Sequence, residues 1–369
     1  MNDDPLSEAP TRIPRGALKR PWLLATAVAA VTLFVAAPLI EAPSQGASAL
    51  LDESVTLADD IMERGPGGAQ AQALRAAPQG LLTRGATVMA LLLNPTGEDK
   101  AWSRALACLL LTLSWWGLTR FVAGRSTSPR EPTAWVVGGL MLLTAPAREI
   151  AAGDLYGAWS LGAGVLFALT CQRLLQAPES IWRVGFVWGL LALLHPALVA
   201  LGIPIFIFAA QAYGQEEEVL STEPGHGVLP PVPLSLIVSP AVAALVVLGL
   251  WTLCGGSTRE LGGALDQLWR QAQPGAVVGI LSPSPGMALL AGLHTVGWLL
   301  TGLAVAGSLL TDREARVSSS WFVLATIFLV GSLNGHLAAP EANLMLFATP
   351  FVIALAAGLP LRWAGAHSR

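Results

Sequence analysis

Apolar residues in this chain gather into runs of roughly 20, such as Pro21 to Leu39, Trp102 to Phe121, Leu155 to Leu174 and Leu344 to Leu361, divided by polar or Pro/Gly-rich breaks. A helix of that length crosses the about 30 Å of hydrocarbon in a bilayer. In hydrocarbon every backbone amide must be bonded inside the spanning structure, so only helices or a closed barrel serve. No stretch shows the period-2 alternation of barrel strands. The pattern therefore predicts an all-α fold, a polytopic transmembrane helical bundle of about ten spans. Composition agrees: 53% of residues are hydrophobic and 12% charged, with a mean hydropathy of +0.59, beyond what a soluble domain reaches.

The net charge of -3 and the lack of a long basic block argue against nucleic acid as a partner. The expected partners are the lipid bilayer, lipid-linked molecules and other membrane proteins. Cys108, Cys171 and Cys254 sit in or at the end of apolar runs, where a thiol acts as a small hydrophobe. They suggest neither a metal site nor a disulfide framework. Arg12, Arg15, Lys19 and Arg20 precede the first run as they would in a signal peptide. The polar leader and the many later spans favour an uncleaved first helix behind a cytoplasmic tail, residues 1–20.

Placing that tail inside sends the first helix outward and exports a first outer loop, residues 41–101. Pro78 to Leu93 is apolar but short, and Arg84 and Gly85 interrupt it, so it is expected to lie along the interface. Trp102 to Phe121 then runs inward to the basic turn of Arg120, Arg125 and Arg130. Ala134 to Ala152 returns outward, and Leu155 to Leu174 runs inward to Arg173 and Arg183. The stretch Val184 to Tyr213 is too long for one crossing and breaks at Pro196 and Pro204. Pro233 to Cys254 leads to a second large outer loop, residues 255–285. Three further spans, Met287 to Leu310, Trp321 to Leu333 and Leu344 to Leu361, return the C-terminus inside. This parity puts the well-defined Arg-rich turns on one side and predicts a multi-pass protein of the cytoplasmic (inner) membrane with both termini cytoplasmic.

Three acidic features then reach the outer face: Asp52 with Glu53, Asp59 with Asp60, and Asp154. If Leu51 to Arg64 is helical, Asp52 and Thr56 share a face with Asp59 or Asp60, while Leu51, Val55 and Met62 rest on lipid or protein. Acidic residues at a bilayer surface are most often simply solvated, and an amphipathic surface helix needs no more than this. His195 and His294, in or near spans, more often make one hydrogen bond to a neighbouring helix than serve in a site, and His336 is a weak candidate. The tryptophans near helix ends form an interfacial belt, and Trp269 in the second outer loop is the best exception to it.

The order of these pieces resembles the GT-C superfamily of membrane glycosyltransferases, in the branch of protein O-mannosyltransferases and the lipid A aminoarabinose transferase. Asp52-Glu53 opens "DESVTLADDIMERG" where the family has an Asp-Glu pair and an amphipathic segment. "APQGLLTRGATVMALLLNP" from Ala77 is similar to its interfacial helix, and "GEDKAWSRALACLLLTL" with Arg104 to its Arg-bearing turn into a span. "REIAAGDLYGAWSLGAG", with Arg148, Asp154 and Tyr156, matches the loop carrying a second Asp. "GFVWGLLALLHPALVALGIPIF" from Gly185 and "GHLAAPEANLMLFATPFVIALAAGLPL" from Gly335 extend the likeness over residues 21–369. The family's usual Lys before the Pro is Ala77 here, with Arg75 the nearest cation; its Lys near "LLHP" is His195; and the usual aromatic near Thr56 is absent.

The resemblance implies transfer of a sugar from a polyprenyl-phosphate carrier to an acceptor protein, lipid or glycan at the outer face. Asp52 would deprotonate or orient the acceptor, and Asp154 would orient it or share a divalent cation. Glu53, Tyr156, Arg75, Arg148, Arg259 and Arg270 would bind substrate or hold the leaving phosphate. Whether a divalent cation takes part stays open, since no ligand cluster is visible. The departures motivate an alternative, a non-catalytic subunit of the same fold that scaffolds a partner or a lipid-linked glycan. A transporter would show repeated halves and charges in mid-span, and the chain has neither clearly.

Overall fold

In a computed structural model of the chain, the residues described are 45–65, 81–124, 130–176, 181–194, 298–309, 344–347 and 349–366, with isolated positions at 205, 238–239, 241–242, 245, 319–320 and 323. Regular structure among them is entirely helical. In chain order the helices are α1 (Gln45–Arg64), α2 (Leu81–Leu92), α3 (Asp99–Ala123), α4 (Arg130–Leu142), α5 (Ala145–Ala152), α6 (Leu155–Gln176), α7 (Ile181–Leu194), α8 (Trp298–Ser308), a 3-10 turn (Leu344–Phe347) and α9 (Thr349–Ala366). The expected first span from Pro21 to Leu39, the spans Pro233 to Cys254 and Trp321 to Leu333, and the second outer loop fall mainly or wholly outside the described residues.

The centre of the bundle is the pair α3 and α6. Gly153, just before α6, backs onto Arg104, and a side chain at Gly162 would come 3.8 Å from Ser114 Oγ. Further along, Gly117 abuts Val165 and Leu169, and Gln172 Nε2 donates to the Phe121 carbonyl at 3.2 Å. These pairs climb both helices in the same direction, so α3 and α6 run parallel. Glycine at 117 permits the approach, because any Cβ there would strike the Val165 side chain. Small residues at such crossings let helices approach closely and gain dispersion contacts.

Two parallel helices joined by so short a piece of chain require a return between them, and α4 with α5 supplies it. The Trp115 indole of α3 donates to the Ala134 carbonyl at 2.9 Å. The single crossing expected over Ala134 to Ala152 is corrected to two helices, broken at Leu143-Thr144. Thr144 causes the break: its hydroxyl donates to the Met141 carbonyl at 2.7 Å and accepts from the Ala147 amide at 3.3 Å. It thus closes α4 and caps α5, with a proline in the first turn where no amide is needed.

One apolar cluster runs through α3, α4, α5, α6, α7, α8, the 3-10 turn and α9, including Leu118, Phe121, Ile150, Leu161, Phe167, Phe347 and Phe351. Phe121 and Phe351 meet edge to face at 5.7 Å. Gly164 lies against the backbone of Phe347, and Gly307 of α8 lies on the Leu355 carbonyl of α9. A second, smaller cluster of Leu57, Ala58, Val88 and Leu91 joins α1 to α2. The described part of the expected interfacial helix has 12 residues, so it measures about 18 Å, short of a crossing. It ends where the Trp102 indole of α3 donates to the Ala90 carbonyl at 2.7 Å.

Among the described residues two helices, Asp99–Ala123 and Leu155–Leu174, are long and apolar enough to cross a membrane, and four shorter apolar helices accompany them. The outward faces are apolar too. Leu109, Leu113 and Trp116 stand exposed along α3, Trp135 and Leu142 along α4, and Leu299 and Val305 along α8. Contiguous exposed apolar stripes on packed helices mark a surface that meets lipid or protein rather than water.

Candidate functional site

The site forms at the end of the bundle where α3 and α6 begin, from the corner between α5 and α6 and the helix α1 laid against it. Gly153 makes the corner with φ +124°, a conformation L side chains rarely adopt. Its amide donates to the Ile150 carbonyl at 3.0 Å, and the Asp154 amide donates to the Glu149 carbonyl at 3.1 Å. The chain then turns straight into α6. Asp154 Oδ1 accepts from the Gly157 amide at 3.0 Å and so caps the helix. Gly157 leaves room for this, because a Cβ there would run into the Asp154 carboxylate.

Burial pushes the Asp154 carboxyl above the ordinary aspartate range, and the amides of Gly157 and Tyr156 offset part of that rise. The carboxylate therefore holds a proton more readily than a solvated one would. Two arginines lie on the helices that meet at the corner. Arg104 of α3 packs its stem against Gly153, and Arg148 of α5 is half-buried. The Nε atoms of both are buried. Beneath them Cys108 Sγ sits 3.7 Å from the Ala151 carbonyl.

Helix α1 meets this corner through a polar contact. Ser54 Oγ lies 2.6 Å from the Tyr156 hydroxyl, both side chains buried. Ser54 also donates to the Leu50 carbonyl at 2.9 Å. Leu50, Ser54, Leu57 and Ala58 recur at helical spacing and form the face of α1 turned to α2 and α6. Asp52, Glu53, Thr56 and Asp59 are exposed, and the Thr56 hydroxyl donates to the Asp52 carbonyl at 2.8 Å.

The residues expected from the sequence divide accordingly. Asp154, Tyr156 and Arg148 share the corner. Asp52 and Glu53 lie on the same helix at the same end of the bundle, but the α1 side chain bonded to the Tyr156 hydroxyl is Ser54. Met62, expected to rest on lipid or protein, is 72% exposed. Asp60 is buried and pairs with Arg64 at 3.2 Å. Arg75, Arg259 and Arg270, along with His195, His294, His336 and Trp269, lie outside the described residues. Ser54 was missed, although a hydroxyl in line with Leu50, Leu57 and Ala58 on an otherwise apolar face signals a polar contact. Arg104 belongs to one of the matched segments, yet its place against Gly153 depends on two distant helices meeting.

Among the described residues no three His, Cys, Asp or Glu side chains group in a way that could hold a metal. The corner thus offers a carboxylate of raised proton affinity at the start of a 22-residue helix, a buried phenol and two cationic side chains. Such a set can take a proton from one group and hold negative charge on another. Comparisons of the chain with protein-family models, with curated proteins and with solved structures find no match.

Proposed function

We propose that the chain is a multi-pass membrane glycosyltransferase of the GT-C type, with about ten spans and both termini cytoplasmic, acting at the outer face on a polyprenyl-phosphate-linked sugar. The observation that carries this reading is the 2.6 Å contact between Ser54 and Tyr156. It holds the acidic helix α1 against the Asp154 corner, so that carboxylates a hundred positions apart in sequence serve one end of the bundle.

In this reading the acceptor hydroxyl, amine or amide lies beside Asp154 and gives up its proton to that carboxylate as it attacks the anomeric carbon. The bond from that carbon to the phosphate oxygen breaks, and polyprenyl phosphate departs. A carboxylate whose proton affinity is raised by burial suits this role better than a solvated one. In this reading Arg104, whose stem packs against Gly153, and Arg148 on α5 would hold the charge growing on the phosphate. Asp52 and Glu53, exposed on α1, would meet the acceptor from the solvent side.

The test is Asp154→Asn, assayed for glycan or lipid modification in membranes. Asn keeps the helix cap but accepts no proton, so the expected outcome is loss of transfer by a factor of about 10² to 10⁴. Transfer that continues unchanged favours the second reading, a non-catalytic subunit, which the missing Lys at Ala77 supports. Topology is tested by single cysteines at positions 154 and 126 labelled from outside intact cells: label at 154 alone is expected, and label at 126 alone reverses the orientation.

A further inference from the structure

We propose that the end of the bundle opposite Asp154 is a binding surface for acidic phospholipid headgroups, built from Arg120, Arg173 and Arg183 with Trp116 and Trp182. This rests on the membrane part of the reading above and not on the transfer chemistry. The bond from Gln172 to the Phe121 carbonyl sets the last turns of α3 and α6 at one level, and α7 opens a few residues after α6 closes. All three arginines are exposed. Among the described residues the acid placed at this end by chain order is Glu131, beside Arg130 in the first turn of α4.

Two of the arginines are mounted on indoles. The Arg120 guanidinium stands 4.8 Å over the Trp116 ring, and that of Arg183 stands 5.1 Å over Trp182. Tryptophan favours the headgroup level of a bilayer. A guanidinium stacked on it keeps its N–H edge free for two parallel bonds to a phosphate. Below Arg120 the same face of α3 continues as Trp116, Leu113 and Leu109, all exposed. An acyl chain can lie along that stripe while its phosphate meets Arg120. A zwitterionic lipid carries its own cation into this cluster, whereas an anionic one does not, so charge selects the acidic headgroup.

The experiment reconstitutes the full chain in nanodiscs of phosphatidylcholine, with or without phosphatidylglycerol, and counts retained phosphatidylglycerol by native mass spectrometry. The wild type is expected to retain it, and apparent affinity is expected to fall about fivefold for each arginine changed in R120Q, R173Q and R183Q, with the effect weakening as salt rises. Equal retention by wild type and the triple variant overturns the proposal. Should the triple variant fail to fold, R120Q, R183Q and W116L are compared singly, and equal retention in all of them overturns it likewise. A chain that enters neither kind of nanodisc overturns the membrane reading and this surface with it. One that enters both and ignores the arginines overturns the surface alone.

Discussion

Ser54 and Tyr156, 102 positions apart, share a 2.6 Å hydrogen bond, which the tyrosine donates while the Ser54 proton goes to the Leu50 carbonyl. Ser54 lies on α1, which packs chiefly on α2, and Tyr156 lies in the first turn of α6 at the centre of the bundle. The bond therefore ties the smaller apolar cluster to the larger one beside Asp154. Tyr156→Phe and Ser54→Ala are each expected to cost about 1 kcal/mol. The double variant should lose less than the sum, with a coupling of about 0.5 kcal/mol or more. Denaturant unfolding in detergent micelles checks this, and strictly additive losses would remove the bond as a tie between the clusters.

The corner before α6 depends on two glycines for different reasons. Gly153 holds φ +124° with ordinary space around it, so Gly153→Ala strains the backbone by about 1 to 3 kcal/mol. Gly157→Ala is backbone-compatible but drives a methyl into the Asp154 carboxylate. Both should lower the unfolding temperature. Only Gly157→Ala acts through the carboxylate, so its penalty should shrink in an Asp154→Ala background, while that of Gly153→Ala should persist.

Burial raises the Asp154 carboxyl above its ordinary value. Between the ordinary and the raised value the native chain holds more protons than the unfolded chain, so stability falls as pH rises through that window and levels off above it. Asparagine caps a helix comparably and does not titrate. The stability of wild type relative to Asp154→Asn is therefore expected to be most favourable at low pH and to decline as pH rises through the raised value. Unfolding temperatures of the two proteins across a pH series measure this; parallel curves would contradict it.

Gly117 and Gly139 sit on neighbouring helices, and their alanine variants should differ in sign. At Gly117 a Cβ meets the Val165 side chain, whereas at Gly139 nothing lies within 4 Å. Gly117→Ala must part α3 from α6 or twist Val165 off its rotamer, a loss of about 1 to 3 kcal/mol. Gly139→Ala should gain about 0.5 to 1 kcal/mol by reducing the freedom of the unfolded chain. Thermal unfolding in the same detergent gives both values.

Much of the helix plan was readable because long unbroken apolar runs with few turn residues leave the backbone few alternatives to bonding itself. The runs Trp102 to Phe121 and Leu155 to Leu174 appear as α3 and α6, each extended by a few residues. The short apolar run with Arg84 and Gly85 appears as the short α2. The break at Leu143-Thr144 was not read, since periodicity alone does not show that the Thr144 hydroxyl will satisfy both helix ends around it. Within the site, Asp154 and Tyr156 stood out by position in the sequence. Ser54 did not, because its value comes from Tyr156 across the gap between two helices.

The order of residues by itself determined an all-helical plan among the described residues and the approximate extent of the apolar helices Asp99–Ala123 and Leu155–Gln176. These follow from local hydropathy and from the backbone's need to bond itself where water is scarce. Tertiary structure alone decided that α3 and α6 run parallel in contact at Gly117 and Val165, that Arg104 backs onto Gly153, and that Ser54 rather than Asp52 meets Tyr156. Each of these depends on side-chain volume and direction between helices far apart in the chain, which no local pattern encodes.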